Sequence, residues 1–232
     1  MPNSTSVRIY ITLVALAGTA AFIMGLLHPV VSDPAGFLAL MAVSVITSRL
    51  KVKLPGMKAN MAVSLPFLLL ASAQMQLLPT LLIAAAATVA QSVNFKSAVK
   101  PVQMFFNVCT VLLAITMAYR IQHQAGVANP HGVLLLLLGA AAYFLTNTLL
   151  VAGVVSLTSD RRVGKAWSSI FALTYLYYVL SAGVAAVSVG FGIRWSVLAL
   201  TLVVVYGAYR SFQLYFGAMS SLMAPQMAAA GD

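Results

Sequence analysis

YFLTNTLLVAGVVSLTSDRRVGK, residues 143–165, joins an uncharged apolar run to an abrupt stop at Ser159-Asp160-Arg161-Arg162. One amide, Asn147, lies near the middle of the run. Hydrocarbon offers an amide no hydrogen-bond partner, so Asn147 must find one inside a helix bundle, while the charges that follow must sit in water. A single segment therefore sets a depth, a face and a side of a membrane.

Composition agrees with that reading. Of the 232 residues 62% are hydrophobic and 7% charged, where a soluble domain carries about 25% charged residues. Mean hydropathy is +0.99. The 13 Lys+Arg against 3 Asp+Glu do not point to nucleic acid, because they sit singly or in small groups between apolar runs. Cys109 is the only cysteine, lies in an apolar run and reads as a small membrane-buried side chain.

Eight apolar stretches follow from the pattern: Val7 to His28, Pro34 to Ser48, Met61 to Gln74, Leu77 to Val93, Val102 to Tyr119, Gly132 to Leu157, Trp167 to Gly190 and Trp195 to Phe216. Several approach the roughly 20 residues a helical span needs, and the second to fourth are short. Pro66, Gln74, Gln76 and Pro79 mark the third and fourth as a thin hairpin. The first stretch runs on through Phe22, Met24, Leu26 and Leu27, longer than a secretory h-region, and is read as a helix.

Charge tests the eight-span drawing. With the N-terminus inside, Arg8, Arg49, Lys51, Lys53, Lys58, Lys96, Lys100, Arg161, Arg162, Lys165 and Arg210 are all cytoplasmic, and only Arg120 and Arg194 are outside. The positive-inside bias predicts such a split. The expected fold is thus all-α, a polytopic integral membrane bundle of about eight transmembrane helices with both termini cytoplasmic. Residues 1–217 form the bundle and 218–232 a short tail. Between the second and third spans, Ser48 to Gly56 alternates basic and apolar residues before a Pro-Gly break. That period of two predicts an extended segment at the inner headgroups, with Leu50, Val52 and Leu54 turned down and the cations facing anionic lipid.

All three carboxylates, Asp33, Asp160 and Asp232, fall outside the spans. Proton-coupled carriage and intramembrane proteolysis need ionisable groups at depth, and hydrolysis needs a nucleophile with a base. None is present, so no enzyme, cofactor or metal is expected. What the interior does hold is amide and phenol. Gln103 and Asn107 share a helix face, as do Tyr143 and Asn147. By helix rise, Asn107 lies about 8 Å and Asn147 about 15 Å from the inner end. With Tyr175 and Tyr178 they make one candidate layer, open to two readings: interhelical glue, or a pocket for a neutral or lipophilic ligand. His28, His123 and His131 gather with Asp33 on the outer side but lack metal-ligand spacing, and read as loop residues. Trp167, Trp195 and Tyr215 read as interfacial anchors, and Gly139, Ala142, Gly183 and Ala186 as sites of close helix approach.

SRLKVKLPG (48–56), FFNV (105–108), YFLTNTLLVAGVVSLT (143–158), YLYYVLSAGVAA (175–186) and YRSFQLYFG (209–217) occur in order along most of the chain. This set resembles the multi-helix, MASE-like membrane sensor region at the N-terminus of bacterial cyclic-di-GMP signalling proteins, whose soluble part is a GGDEF, EAL or HD-type domain. The resemblance implies placement in the bacterial cytoplasmic (inner) membrane and sensing without catalysis. The sequence departs from the pattern after Gly217, where AMSSLMAPQMAAAGD (218–232) replaces the helix into a catalytic domain. The expected function is an input module that binds a small lipophilic or membrane-borne cue and relays it to a cytoplasmic signalling protein. Membrane lipids and a homo-oligomer complete the expected partners, and nucleic acid is excluded. A small-solute carrier, or the substrate-binding membrane subunit of a transporter, is the alternative.

Overall fold

In the computed structural model the described residues are 4–27, 29–53, 60–93, 100–123, 132–159, 162–191, 199, 201–215 and 217. Seven helices are bounded within them: α1 (Ser4–Leu26), α2 (Pro34–Ser48), α3 (Leu65–Gln74), α4 (Leu77–Ser92), α5 (Pro101–Gln122), α6 (Gly132–Ser159) and α7 (Val163–Phe191). Residues 201–215 are helical too. Prolines open several of these helices, as expected where the first turn has no use for its N–H. Pro34, Pro66 and Pro101 all occupy a first-turn position. Asp33 caps α2, its Oδ1 accepting from the Gly36 N–H at 2.9 Å.

The expected eight stretches thus correspond to eight helical segments, but they differ in length. Among the described residues three helices, α1 from Thr5, α5 and α6, are long and apolar enough to cross a bilayer, and α7 is a fourth if its two bent halves count as one. Those halves, Val163–Ala172 and Thr174–Gly190, meet at 53°. Beside the bend the Thr174 hydroxyl donates to the Ile170 carbonyl at 2.7 Å, a back-bond that tends to bend helices. The segments α2, α3 and α4 have 15, 10 and 16 residues and are too short by the same measure.

One stretch departs from the all-helical expectation. Lys51–Lys53 (β1) pairs antiparallel with Asn60–Ala62 (β2), Val52 opposite Met61. The period-two reading of 48–56 is met over its middle, and Leu50 packs against the main core. Residues 54–56 lie outside the described residues. Met61 and Ala62, expected at the head of a third helix, are strand instead, and α3 begins only at Leu65.

The bundle is built around α3. Every residue from Val63 to Ser72 is buried, and α3 touches α2, α4, α5, α6 and α7. A ten-residue apolar helix covers about 15 Å, half a hydrocarbon core, and is stable at that depth only when surrounded by protein. The outer helices turn apolar side chains such as Leu13, Leu138, Leu176 and Val187 outward, each about half exposed or more, which suits acyl chains in place of water.

Close approach is set by small residues. On α1 the buried positions Val14, Gly18, Ala21 and Gly25 recur at helical spacing. A Cβ on Gly18 would stand 2.5 Å from the Cys109 Cβ, so α1 and α5 touch backbone to backbone there. Cys109 is 1% exposed in that seam, as its apolar surroundings suggested. Gly139 also serves close approach, against Gln122 and the Ala118 carbonyl. Gly183 does not: it is exposed, with nothing within 4 Å of its Cβ position.

Candidate functional site

The candidate polar layer forms around one hydrogen bond. Asn147 Nδ2 donates to the Tyr178 hydroxyl at 2.8 Å, joining α6 to α7. The Tyr143 ring, 4% exposed, lies 6.1 Å from that of Tyr178, and Phe144 packs at 4.6 Å. Tyr177, next in sequence, accepts from the Leu65 N–H at 3.2 Å and so supplies a partner to the first turn of α3. An interhelical bond of this kind contributes roughly 0.6–1.7 kcal/mol, and this one ties α6 to α7.

The other members are placed differently. Gln103 is exposed near the start of α5, and Asn107 is partly buried one turn later. Tyr175 is 46% exposed on the outer side of α7, its ring stacked on Phe171 at 5.8 Å. Helix rise carries no information on azimuth, which sets these exposures. Trp167, read only as an anchor, donates its indole N–H to Thr148 Oγ1 at 3.1 Å and is a second pin between α6 and α7. Trp195, His28 and His131 lie outside the described residues, as do Asp160 and Arg161 between α6 and α7.

Openings lie instead at the bundle's edges, two of them among the described residues. The larger, about 250 Å³, lies where the start of α2, the α3–α4 turn and the end of α5 meet. Ser32, Asp33, Gln74, Gln76, Tyr119 and His123 line it with Val31, Met75 and Pro79. The α3–α4 turn is tied to the start of α2, since Ser32 N–H donates to Gln76 Oε1 at 3.3 Å and Gln76 Nε2 donates to Ser32 Oγ. The His123 ring stacks on Tyr119 at 4.0 Å, and its Nδ1 lies 3.0 Å from the Tyr119 carbonyl. A carbonyl can only accept, so Nδ1 carries the proton and Nε2 is left for other partners. Asp33 and His123, expected on one side from the charge pattern, do come together. Among the described residues no group of three or more His, Cys, Asp or Glu could hold a metal ion.

The smaller opening is an apolar crevice between the start of α3, α7 and the 201–215 helix, with about 30 Å³ of free space. Pro66, Tyr177, Ser181, Val205, Tyr209 and Phe212 are among its walls. Neither opening was marked in the sequence, because each draws its walls from three segments far apart along the chain. Comparison with family models, with curated proteins and with solved structures found no match to the chain.

Proposed function

We propose that the chain is an integral membrane sensor or input module of the bacterial cytoplasmic membrane, which binds a lipophilic, membrane-borne cue and relays it to a cytoplasmic partner. The crevice at Tyr177, Ser181, Tyr209 and Phe212 carries this reading, because its walls belong to α7 and to the helix nearest the C-terminus. Its free space is about one water's share of liquid, so a ligand enters only by moving the 201–215 helix off α7. Binding energy is then coupled to the position of that helix, and a cue shifts the equilibrium by its differential affinity for the two arrangements. The walls that face the crevice are almost wholly apolar, which suits a hydrocarbon chain.

In this reading the chain makes eight passes with both termini inside, the third pass formed by α3 and the residues leading into it. Arg8, Arg49, Lys51, Lys53, Lys100, Arg162 and Lys165 belong to helix starts, helix ends or the ribbon at one end, where Arg49 reaches the Val93 carbonyl at 3.1 Å. Arg120 is the described basic residue at the other end. A cysteine at Lys100 should react with an impermeant maleimide only from the cytoplasmic side, and one at Ser32 only from outside. The reverse pattern would overturn the orientation. Buried Cys109 gives no background in this assay.

Photo-crosslinking tests the crevice. A diazirine-bearing fatty acid should label peptides from α7 and the 201–215 helix saturably, competed by excess unlabelled fatty acid. Ala208→Trp, which fills the crevice, should reduce that labelling at least five-fold. Uniform, uncompeted labelling around the bundle would sink the proposal.

The carrier reading draws on a separate observation, the half-length buried α3 ending at the larger cavity. Short helices interrupted near mid-membrane often frame carrier sites. Solute flux into proteoliposomes would favour the carrier, and saturable crosslinking without flux the sensor.

A further inference from the structure

We propose that the 250 Å³ cavity at the ends of α3 and α5 binds a small organic ammonium ion. This site is separate from the crevice and does not depend on the sensing role.

The polar groups around the cavity mostly accept hydrogen bonds. Asp33 supplies a carboxylate whose Oδ1 takes the Gly36 N–H, and no described residue forms an ion pair with it. Gln74 lines the same cavity, and its Oε1 is buried without a hydrogen-bond partner among the described residues. A buried acceptor left unmet costs about 1–3 kcal/mol, which a donor in the cavity recovers once the Gln74 amide turns toward it. His123 commits Nδ1 to the Tyr119 carbonyl, which leaves Nε2 as the ring nitrogen that can meet a ligand. The stacked Tyr119 and His123 rings add an aromatic wall of the kind that attracts cations.

Other ligand classes fit less well. An anion would meet Asp33 and no Lys or Arg in the lining, and Arg120 near the end of α5 is exposed with its Nη2 3.7 Å from Met24 Sδ. The α2 N-terminus, which could otherwise attract an anion, is already capped by Asp33. A divalent metal would find one carboxylate and one imidazole, fewer than its coordination requires. The volume equals that of roughly eight waters, room for a ligand on the order of ten non-hydrogen atoms. Because Asp33 is exposed, its attraction is screened and the affinity is modest.

Binding is measured on the whole chain in phosphatidylcholine nanodiscs by calorimetry, with three probes of matched size: n-propylammonium, n-propanol and propionate. Saturable binding is expected for n-propylammonium alone. Asp33→Asn keeps the helix cap, because Asn caps as well as Asp, yet removes the charge, and should weaken binding about ten-fold. Gln74→Leu, which removes the buried acceptor, should weaken it several-fold. Equal heats from all three probes, or n-propylammonium binding unchanged in Asp33→Asn, would overturn the site. Neither result bears on fatty-acid crosslinking in the crevice, so the two proposals fail separately.

Discussion

Gly18→Ala should lower the thermal midpoint of the protein by roughly 5–10 °C, and Gly18→Leu should separate α1 from α5. The added Cβ would stand 2.5 Å from the Cβ of Cys109 and 2.7 Å from its Cα. A side chain can turn aside, but the Cα belongs to the backbone of α5, so the helices themselves must part. Overpacking of this kind costs about 1–3 kcal/mol when neighbours can relax, and a backbone obstacle puts Gly18 at the upper end. In a protein of this size each kcal/mol is worth about 2–4 °C. In lipid, helix association depends on close van der Waals contact, since acyl chains already satisfy apolar surface. Losing the contact at Gly18 therefore removes much of what holds α1. Gly183→Ala is the control: with nothing within 4 Å it should be neutral or slightly stabilising, as Ala favours helix over Gly. Maleimide reactivity of Cys109, 1% exposed in the intact seam, should rise in Gly18→Leu. An unchanged midpoint in Gly18→Ala with Cys109 still protected would refute the close seam.

The contrast between Gly18 and Gly183 shows where the sequence was informative. Apolar length and turn residues placed the helices: α2 has the expected bounds, and α4 and α5 fall within a few residues of theirs. Period-two alternation found the extended backbone at Lys51–Lys53 because side chains on a strand alternate sides whatever lies beneath them. Azimuth was less legible, since hydropathy treats every face of a lipid-embedded helix alike. The Val14, Gly18, Ala21, Gly25 stripe was there to be read as small residues at spacings of four, three and four, yet Gly183 drew attention instead. Asn147 found a phenol on α7, as an amide at depth requires, but Tyr178 rather than Tyr175 or Asn107 proved to be the partner. The cavity was out of reach because Asp33, Gln74 and His123 each resemble ordinary loop or helix-end residues in isolation. Only tertiary contact between three helix ends makes them one site.

Phe67→Ala should be the most damaging truncation in the protein, while Leu176→Ala should be nearly silent. Both side chains are large and apolar, and hydropathy alone ranks them together. Phe67 is 0% exposed in the middle of α3, and Leu176 is 47% exposed on α7. Truncating a lipid-facing side chain leaves a notch that an acyl chain fills, so Leu176→Ala should stay within about 0.5 kcal/mol of the parent. Around Phe67 the neighbours belong to packed helices and cannot flow, so the removed ring leaves a cavity. Soluble cores lose about 3–5 kcal/mol for Phe→Ala, part of it the transfer of apolar atoms out of water. That transfer share is small where the unfolded reference is itself in lipid, which leaves roughly 2–3 kcal/mol for the cavity. Thermal unfolding in nanodiscs reads the difference directly. If the two variants melt together, α3 is not the enclosed centre of the bundle. If Phe67→Ala alone melts early, the half-length helix is held by protein on every side, as its ten residues require.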